Sequence, residues 1–214
     1  MKKQTILLFC AHNDDNIIGA GGTIANYIKE GHEVFSYIFS FGEKSHPHFK
    51  KKEVIKMRIK ESVRATKILG DKIHYFGLQE GNFEKEVLNK KIKSKIISII
   101  ESKKPKKIFV HSGEDPHPDH KAVYKTIKSI VPRIDNSIDI YSFDVWNPIR
   151  LKNKNAPKLV VDISKTFNKK IQALKAHKSQ KLTWLSLMWN IYRKAILNGI
   201  AHNAKYAEVF YKIK

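Results

Sequence analysis

The chain is short of cysteine, of arginine and of acid, and each shortage excludes something. A single cysteine, Cys10, has no partner for an internal disulfide, so the fold does not rest on oxidation and a reducing cytoplasm is the expected compartment. No stretch approaches the roughly 18 uninterrupted apolar residues of a membrane-spanning helix. The apolar run Ile6–Ala11 near the start is too short for a signal-peptide core and ends in His-Asn-Asp-Asp, so it is expected to be a strand. Only five of the 41 basic residues are arginine, at positions 58, 64, 133, 150 and 193. Arginine is the planar fork that reads phosphates and bases, whereas lysine is a hydrated point charge, so the excess resembles a solvated surface first. No RNA-stacking motif, DNA-reading helix, internal repeat, low-complexity tract or linker is evident, and a specific nucleic-acid partner is not expected.

What is present suffices for one compact domain spanning residues 1–214, with 42% hydrophobic residues to build a core. The 20 acidic residues leave a formal net charge of +21, of which +12 falls within residues 151–214. A polyanion or an anionic membrane is a candidate partner for that last third.

Strand and helix patterns alternate along the chain. Strands are expected at Thr5–Cys10, Glu33–Ser40, Ile73–Phe76, Lys107–His111, Ile138–Phe143, Lys158–Ile163 and Tyr206–Tyr211. Helices are expected at Gly21–Glu30, Glu53–Leu69, Glu86–Ser102, Pro118–Val131, Ser164–His177 and Leu182–Leu197, several closed by glycine or opened by proline. The pattern predicts an α/β, Rossmann-like, mostly parallel sheet with helices on both faces and a core strand order of 3-2-1-4-5. In such sheets ligands sit beyond the carboxyl ends of the strands, where the order reverses.

Two polar clusters fall at such ends. Ala11-His12-Asn13-Asp14-Asp15-Asn16 follows the first strand, with Gly19, Gly21 and Gly22 after it, and Glu114-Asp115-Pro116-His117-Pro118-Asp119-His120 follows the fourth. The glycines invite a dinucleotide reading, but their spacing misses the fingerprint, and Asp14 and Asp15 would lie where phosphates must go. A cation suits the residues better. His12, Asp15 and His120 offer two imidazoles and a carboxylate, a set typical of catalytic zinc with a fourth position open for water. Asp14 is then placed as general base, and His117, with Asp119 to orient it or raise its pKa, as the group that stabilises an oxyanion and protonates a leaving amine. The bland reading of either cluster is a polar helix start.

These motifs resemble the LmbE-like, or PIG-L, family of zinc-dependent N-acetylglucosaminyl deacetylases. The family's Ala-His-Pro-Asp-Asp motif with its paired glycine corresponds to residues 11–22, with Asn13 in the proline position, and its His-Pro-Asp-His motif to residues 117–120. Ser40-Phe41-Gly42-Glu43, Arg58 with Glu61, Ala176-His177-Lys178-Ser179-Gln180 and Ala207-Glu208-Val209-Phe210 extend the likeness over nearly the whole chain. The resemblance implies one Zn2+ held by His12, Asp15 and His120, a base at Asp14, oyxanion and leaving-group roles for His117 with Asp119, and sugar contacts from Arg58 and Glu80. It also implies removal of acetyl from a small-molecule N-acetylated sugar conjugate, with an anionic or lipid-linked substrate and a homo-oligomer as further candidates. The rival from another class is a non-catalytic basic protein that binds nucleic acid or an anionic glycan.

Several residues stand outside this scheme. His177 is either a helix-end histidine or a neighbour of the site, His111 either a core histidine or a support for the metal ligands, and His46 and His48 belong to a basic surface turn. Cys10 is expected in the core. The segment Leu182–Ile200 carries Trp184, Leu185, Met188, Ile191 and Tyr192 at helical spacing, with Trp189 beside them. It is expected to be a core helix, a pocket wall or an interfacial surface, which adds a membrane-peripheral location to the cytoplasmic one.

Overall fold

The computed structural model describes residues 2–87, 90–147 and 156–213. Seven strands form one sheet: β1 (Thr5–Cys10), β2 (Glu33–Ser40), β3 (Lys72–Leu78), β4 (Lys107–His111), β5 (Asp139–Phe143), β6 (Lys158–Asp162) and β7 (Ala207–Lys212). Their spatial order is β3-β2-β1-β4-β5-β7-β6, so the expected 3-2-1-4-5 core is present. The first five strands are mutually parallel, and β7 runs antiparallel to both β5 and β6. Period-two alternation divides the apolar strands between two cores. Ile6, Leu8 and Cys10 of β1 join α1 (Asp15–Lys29), α2 (Lys51–Leu69), α6 (Phe167–Lys175) and α7 (Lys181–Ala201) on one face. Leu7, Phe9 and Ala11 join α4 (Lys90–Lys103) and α5 (Pro118–Ile134), with Phe83 of the short α3 (Phe83–Val87), on the other.

The helix boundaries depart from expectation in informative ways. The first helix starts at Asp15, six residues before Gly21, and continues through a kink at Ala20. Glycine's poor helix propensity hides this start, yet the glycines permit close packing: a Cβ at Gly19 would fall 2.2 Å from the Phe143 ring, and one at Gly22 2.7 Å from Ile163. They serve helix-to-sheet contact, not a phosphate cradle. The helix expected at Glu86–Ser102 is replaced by α3, which begins at Phe83, and α4. α5 runs past Pro132 to Ile134, and α7 is longer than expected at both ends. The helix expected over Ser164–His177 is shorter, and residues 178–180 form a separate 3-10 turn. Among the described residues, no helix is long and apolar enough to cross a membrane.

Candidate active site

β1 lies between β2 and β4, so the chain leaves it at the point where the strand order reverses, and the segments after β1 and β4 meet. Asp15 opens α1 and its Oδ2 accepts the His12 backbone N–H at 2.7 Å. That same oxygen lies 3.4 Å from His12 Nδ1 and 3.4 Å from His120 Nε2, while the two ring nitrogens are themselves 3.4 Å apart. A tetrahedral ion with bonds of about 2.0–2.1 Å separates its ligand atoms by about 3.3–3.4 Å. Two imidazoles and one carboxylate at this spacing fit such an ion.

The surrounding residues hold this triangle in place. Asp115 Oδ1 faces His120 Nδ1 at 3.0 Å and accepts the His117 N–H, and its Oδ2 accepts the N–H groups of Val145 and Trp146. Burial pushes the Asp115 carboxyl up, but the hydrogen bond and charge of His120 outweigh it and hold the pKa down at about 2. A carboxylate behind a ligating histidine fixes the tautomer and raises ligand basicity. His111 stacks on His120 with ring centroids 3.8 Å apart and accepts the Ala11 N–H at its Nε2. Burial lowers its pKa to about 4, which makes it an uncharged brace.

The site carries a negative field. Burial pushes the Asp15 carboxyl up, yet the charge of the facing His120 ring holds it well below the usual carboxylate range. Burial lowers His12, but hydrogen bonds to Asp119 and Asp15 raise it to about 10; His120, likewise opposed by burial, is raised to about 9 by Asp15 and Asp115. Protons and a cation compete for the same three donors.

Of the remaining expected residues, Asp14, Arg58, Glu80 and His117 line a cavity of about 190 Å³ together with His12 and Asp15, whereas Asp119 and His120 sit behind its wall. Asp14 Oδ1 sits 3.4 Å from Arg58 Nη2. Arg58, on α2, is buried, and its Nε and Nη1 have no hydrogen-bond partner among the described residues. Glu80 Oε1 lies 3.9 Å from His12 Nε2, and its Oε2 accepts the Lys44 N–H. A larger neighbouring cavity of about 220 Å³ shares only the walls Ile18 and Val145 and contains none of the three metal donors.

His117 and Asp119 are arranged differently from expectation. The Asp119 carboxylate lies within 4.8 Å of a His117 ring nitrogen, accepts the Gly81 N–H at 2.8 Å and faces His12 Nε2 at 3.5 Å. The Asp119 backbone N–H donates to His117 Nδ1, which leaves Nε2 to carry the proton of a neutral ring. Burial and the nearby His12 and His120 lower the His117 pKa.

Sequence reasoning gave no role to Asp115, although its place in the same loop as His117 and His120 was a usable signal. Asn13 stands where the family motif has proline. The Asn13 amide instead donates to Ser62 Oγ and Tyr75 OH, tying the ligand turn to α2 and β3. Glu61 accepts the backbone N–H and hydroxyl of Ser179, which draws the Ala176–Gln180 block against α2. His177 lies buried there, with neither ring nitrogen hydrogen-bonded among the described residues, and burial lowers its pKa to about 4.

The chain is similar to known proteins over most of its length. The profile of the PIG-L family, described as GlcNAc-PI de-N-acetylase, matches residues 7–131. A diacetylchitobiose deacetylase of Thermococcus kodakarensis is 27% identical over 96% of this chain and 81% of its own length. A 4-oxalmesaconate hydratase of Pseudomonas putida is 23% identical over 85% of this chain and 76% of its own. The crystal structure of N,N'-diacetylchitobiose deacetylase from Pyrococcus horikoshii superposes with a TM-score of 0.79 at 20% identity, covering 98% of this chain and 84% of that one.

Proposed function

This chain belongs to the PIG-L family, and from that premise we propose that it is a single-domain, zinc-dependent N-deacetylase acting in the cytoplasm. Its substrate is a small N-acetylglucosamine conjugate, and its products are acetate and the free amine. His12, Asp15 and His120 hold the ion, which when bound lowers the pKa of water to about 7 and polarises a carbonyl. The observation that carries the reading is the 3.4 Å triangle of donor atoms, with Asp14 and His117 lining the same cavity.

Asp14 takes the proton of the attacking water, while Arg58 fixes the orientation of its carboxylate. That proton is delivered to the nitrogen as the C–N bond breaks, so the amine leaves neutral and no covalent acyl-enzyme forms. His117 donates from Nε2 to the oxygen that gains charge as the carbonyl is attacked, with its tautomer fixed by the Asp119 N–H. Asp119 steadies His12 from the other side. Arg58 Nε and Nη1 and the Glu80 carboxylate offer complementary partners to sugar hydroxyls along the wall.

A panel of N-acetylglucosamine conjugates assayed for acetate release by zinc-loaded protein tests the reading. Release from at least one conjugate, abolished by chelation and restored by zinc, is expected. A zinc-loaded protein that releases no acetate but hydrates an unsaturated acid would overturn it in favour of the hydratase relative's chemistry.

A further inference from the structure

α7 is apolar on both of its faces. Trp184, Leu187, Ile191, Ala195 and Gly199 point into the protein, as a core helix requires. A neighbouring, solvent-facing side presents Leu182, Leu185, Trp189, Tyr192, Ile196 and Ile200, spaced three or four residues apart so that they form one stripe. Leu182 is 84% exposed, Trp189 71% and Ile200 70%. Single exposed apolar residues need no explanation, but a contiguous row of six along one helix marks a surface that something covers. α4 shows the ordinary alternative: it buries Ile96 and Ile100 and turns lysines and serines outward.

Charge identifies the occupant. No acidic residue lies between Asp162 and Glu208, so α7 and both its flanks are without negative charge. Lys178 and Lys181 are exposed at the amino end of the stripe. Two copies of this chain joined stripe to stripe would bring no acidic residue of this segment to the lysines. An anionic bilayer supplies negative headgroups for the lysines and an apolar interior for the stripe, and tryptophan and tyrosine favour the boundary between the two. The Arg193 guanidinium lies over the Trp189 ring, 5.4 Å from its centroid, pairing a cation with an aromatic where headgroups would meet acyl chains.

We propose that the outer face of α7 docks the protein on an anionic lipid bilayer, with the helix lying in the plane of the surface. Gln180 and Thr183, beside the start of the stripe, line the catalytic cavity, and so does the partly exposed Trp146. Docking therefore sets the cavity mouth next to the lipid surface.

Flotation with vesicles tests this without requiring turnover. The protein should float with phosphatidylcholine vesicles containing about a third phosphatidylglycerol and much less with phosphatidylcholine alone. The Leu185→Ser/Trp189→Ser double variant keeps every charge and touches no core side chain, so it should unfold at the wild-type temperature yet bind at least about tenfold more weakly. Brominated acyl chains should quench the wild-type fluorescence, and Trp189→Phe should still float while losing most of that quenching. Equal flotation of the double variant would show that net charge alone attracts the protein and would overturn the proposal. A wild-type dimer that this variant converts to monomer, with no vesicle binding, would assign the stripe to a second copy instead. A wild-type monomer that fails to float would also overturn it.

Discussion

The cavity beside the metal triangle and the outer face of α7 adjoin at Gln180 and Thr183, yet they are built from opposite materials. The site gathers Asp14, Asp15, Asp115, Asp119 and Glu80 around His12, His111, His117 and His120 and the buried Arg58, although acids are outnumbered about two to one in the chain. The face of α7 has no acid and exposes aromatic and aliphatic side chains between lysines. One region is organised by hydrogen bonds and charge pairs at fixed distances; the other by area and by the sign of its charge. The difference teaches that the net charge of +21 does not describe the site, whose residues are mostly acids and histidines.

Substitutions that separate the two regions sharpen that contrast. Asp14→Asn preserves the shape of the cavity and removes the base, so kcat should fall by about 10²–10⁴ while metal content and vesicle flotation stay at wild-type levels. Turnover within a factor of about three of wild type would remove Asp14 from the mechanism. Asp115→Asn leaves the three ligands in place but withdraws the charge behind His120, and zinc affinity should drop by about 10- to 100-fold in a chelator competition. An unchanged affinity would mean that the backbone bonds of Asp115, not its charge, are what it contributes.

A smaller effect concerns the boundary between the regions. His177 is held neutral by burial, with a folded pKa of about 4 against an ordinary value of 6.5. Between those values the unfolded chain binds more protons, so stability contributed by the neutral ring is present above about pH 6.5 and is lost as pH falls toward 4. The slope of unfolding free energy against pH should flatten over that window in His177→Gln relative to wild type, both metal-free. Parallel profiles would show that the ring gains a proton without cost.

Much of this was legible from residue order alone. Apolar runs ending in turn signals marked the first five strands, and two polar clusters at strand ends located the cavity. What escaped depended on contacts distant in sequence. Gly19 and Gly22 look like helix breakers until Phe143 and Ile163 are seen against them, which is why α1 begins earlier than its composition suggests. The antiparallel placement of β7 between β5 and β6 is a tertiary choice that no local pattern records. Asp119 looked like a partner for His117 because the two are neighbours in sequence, but the helix start turns its carboxylate toward His12 and Gly81. In α7 the helical spacing of Trp184 and Ile191 was readable, but which apolar residues would remain in solvent was not.

The metal triangle is the claim on which the rest depends. Metal analysis of zinc-loaded, desalted protein, run beside His120→Ala with acetate release measured on the same samples, tests it most directly. One zinc per wild-type chain, with both zinc and acetate release lost in the variant, is the predicted result. A His120→Ala protein that keeps its full zinc and its turnover would contradict the assignment of His12, Asp15 and His120 as the metal centre.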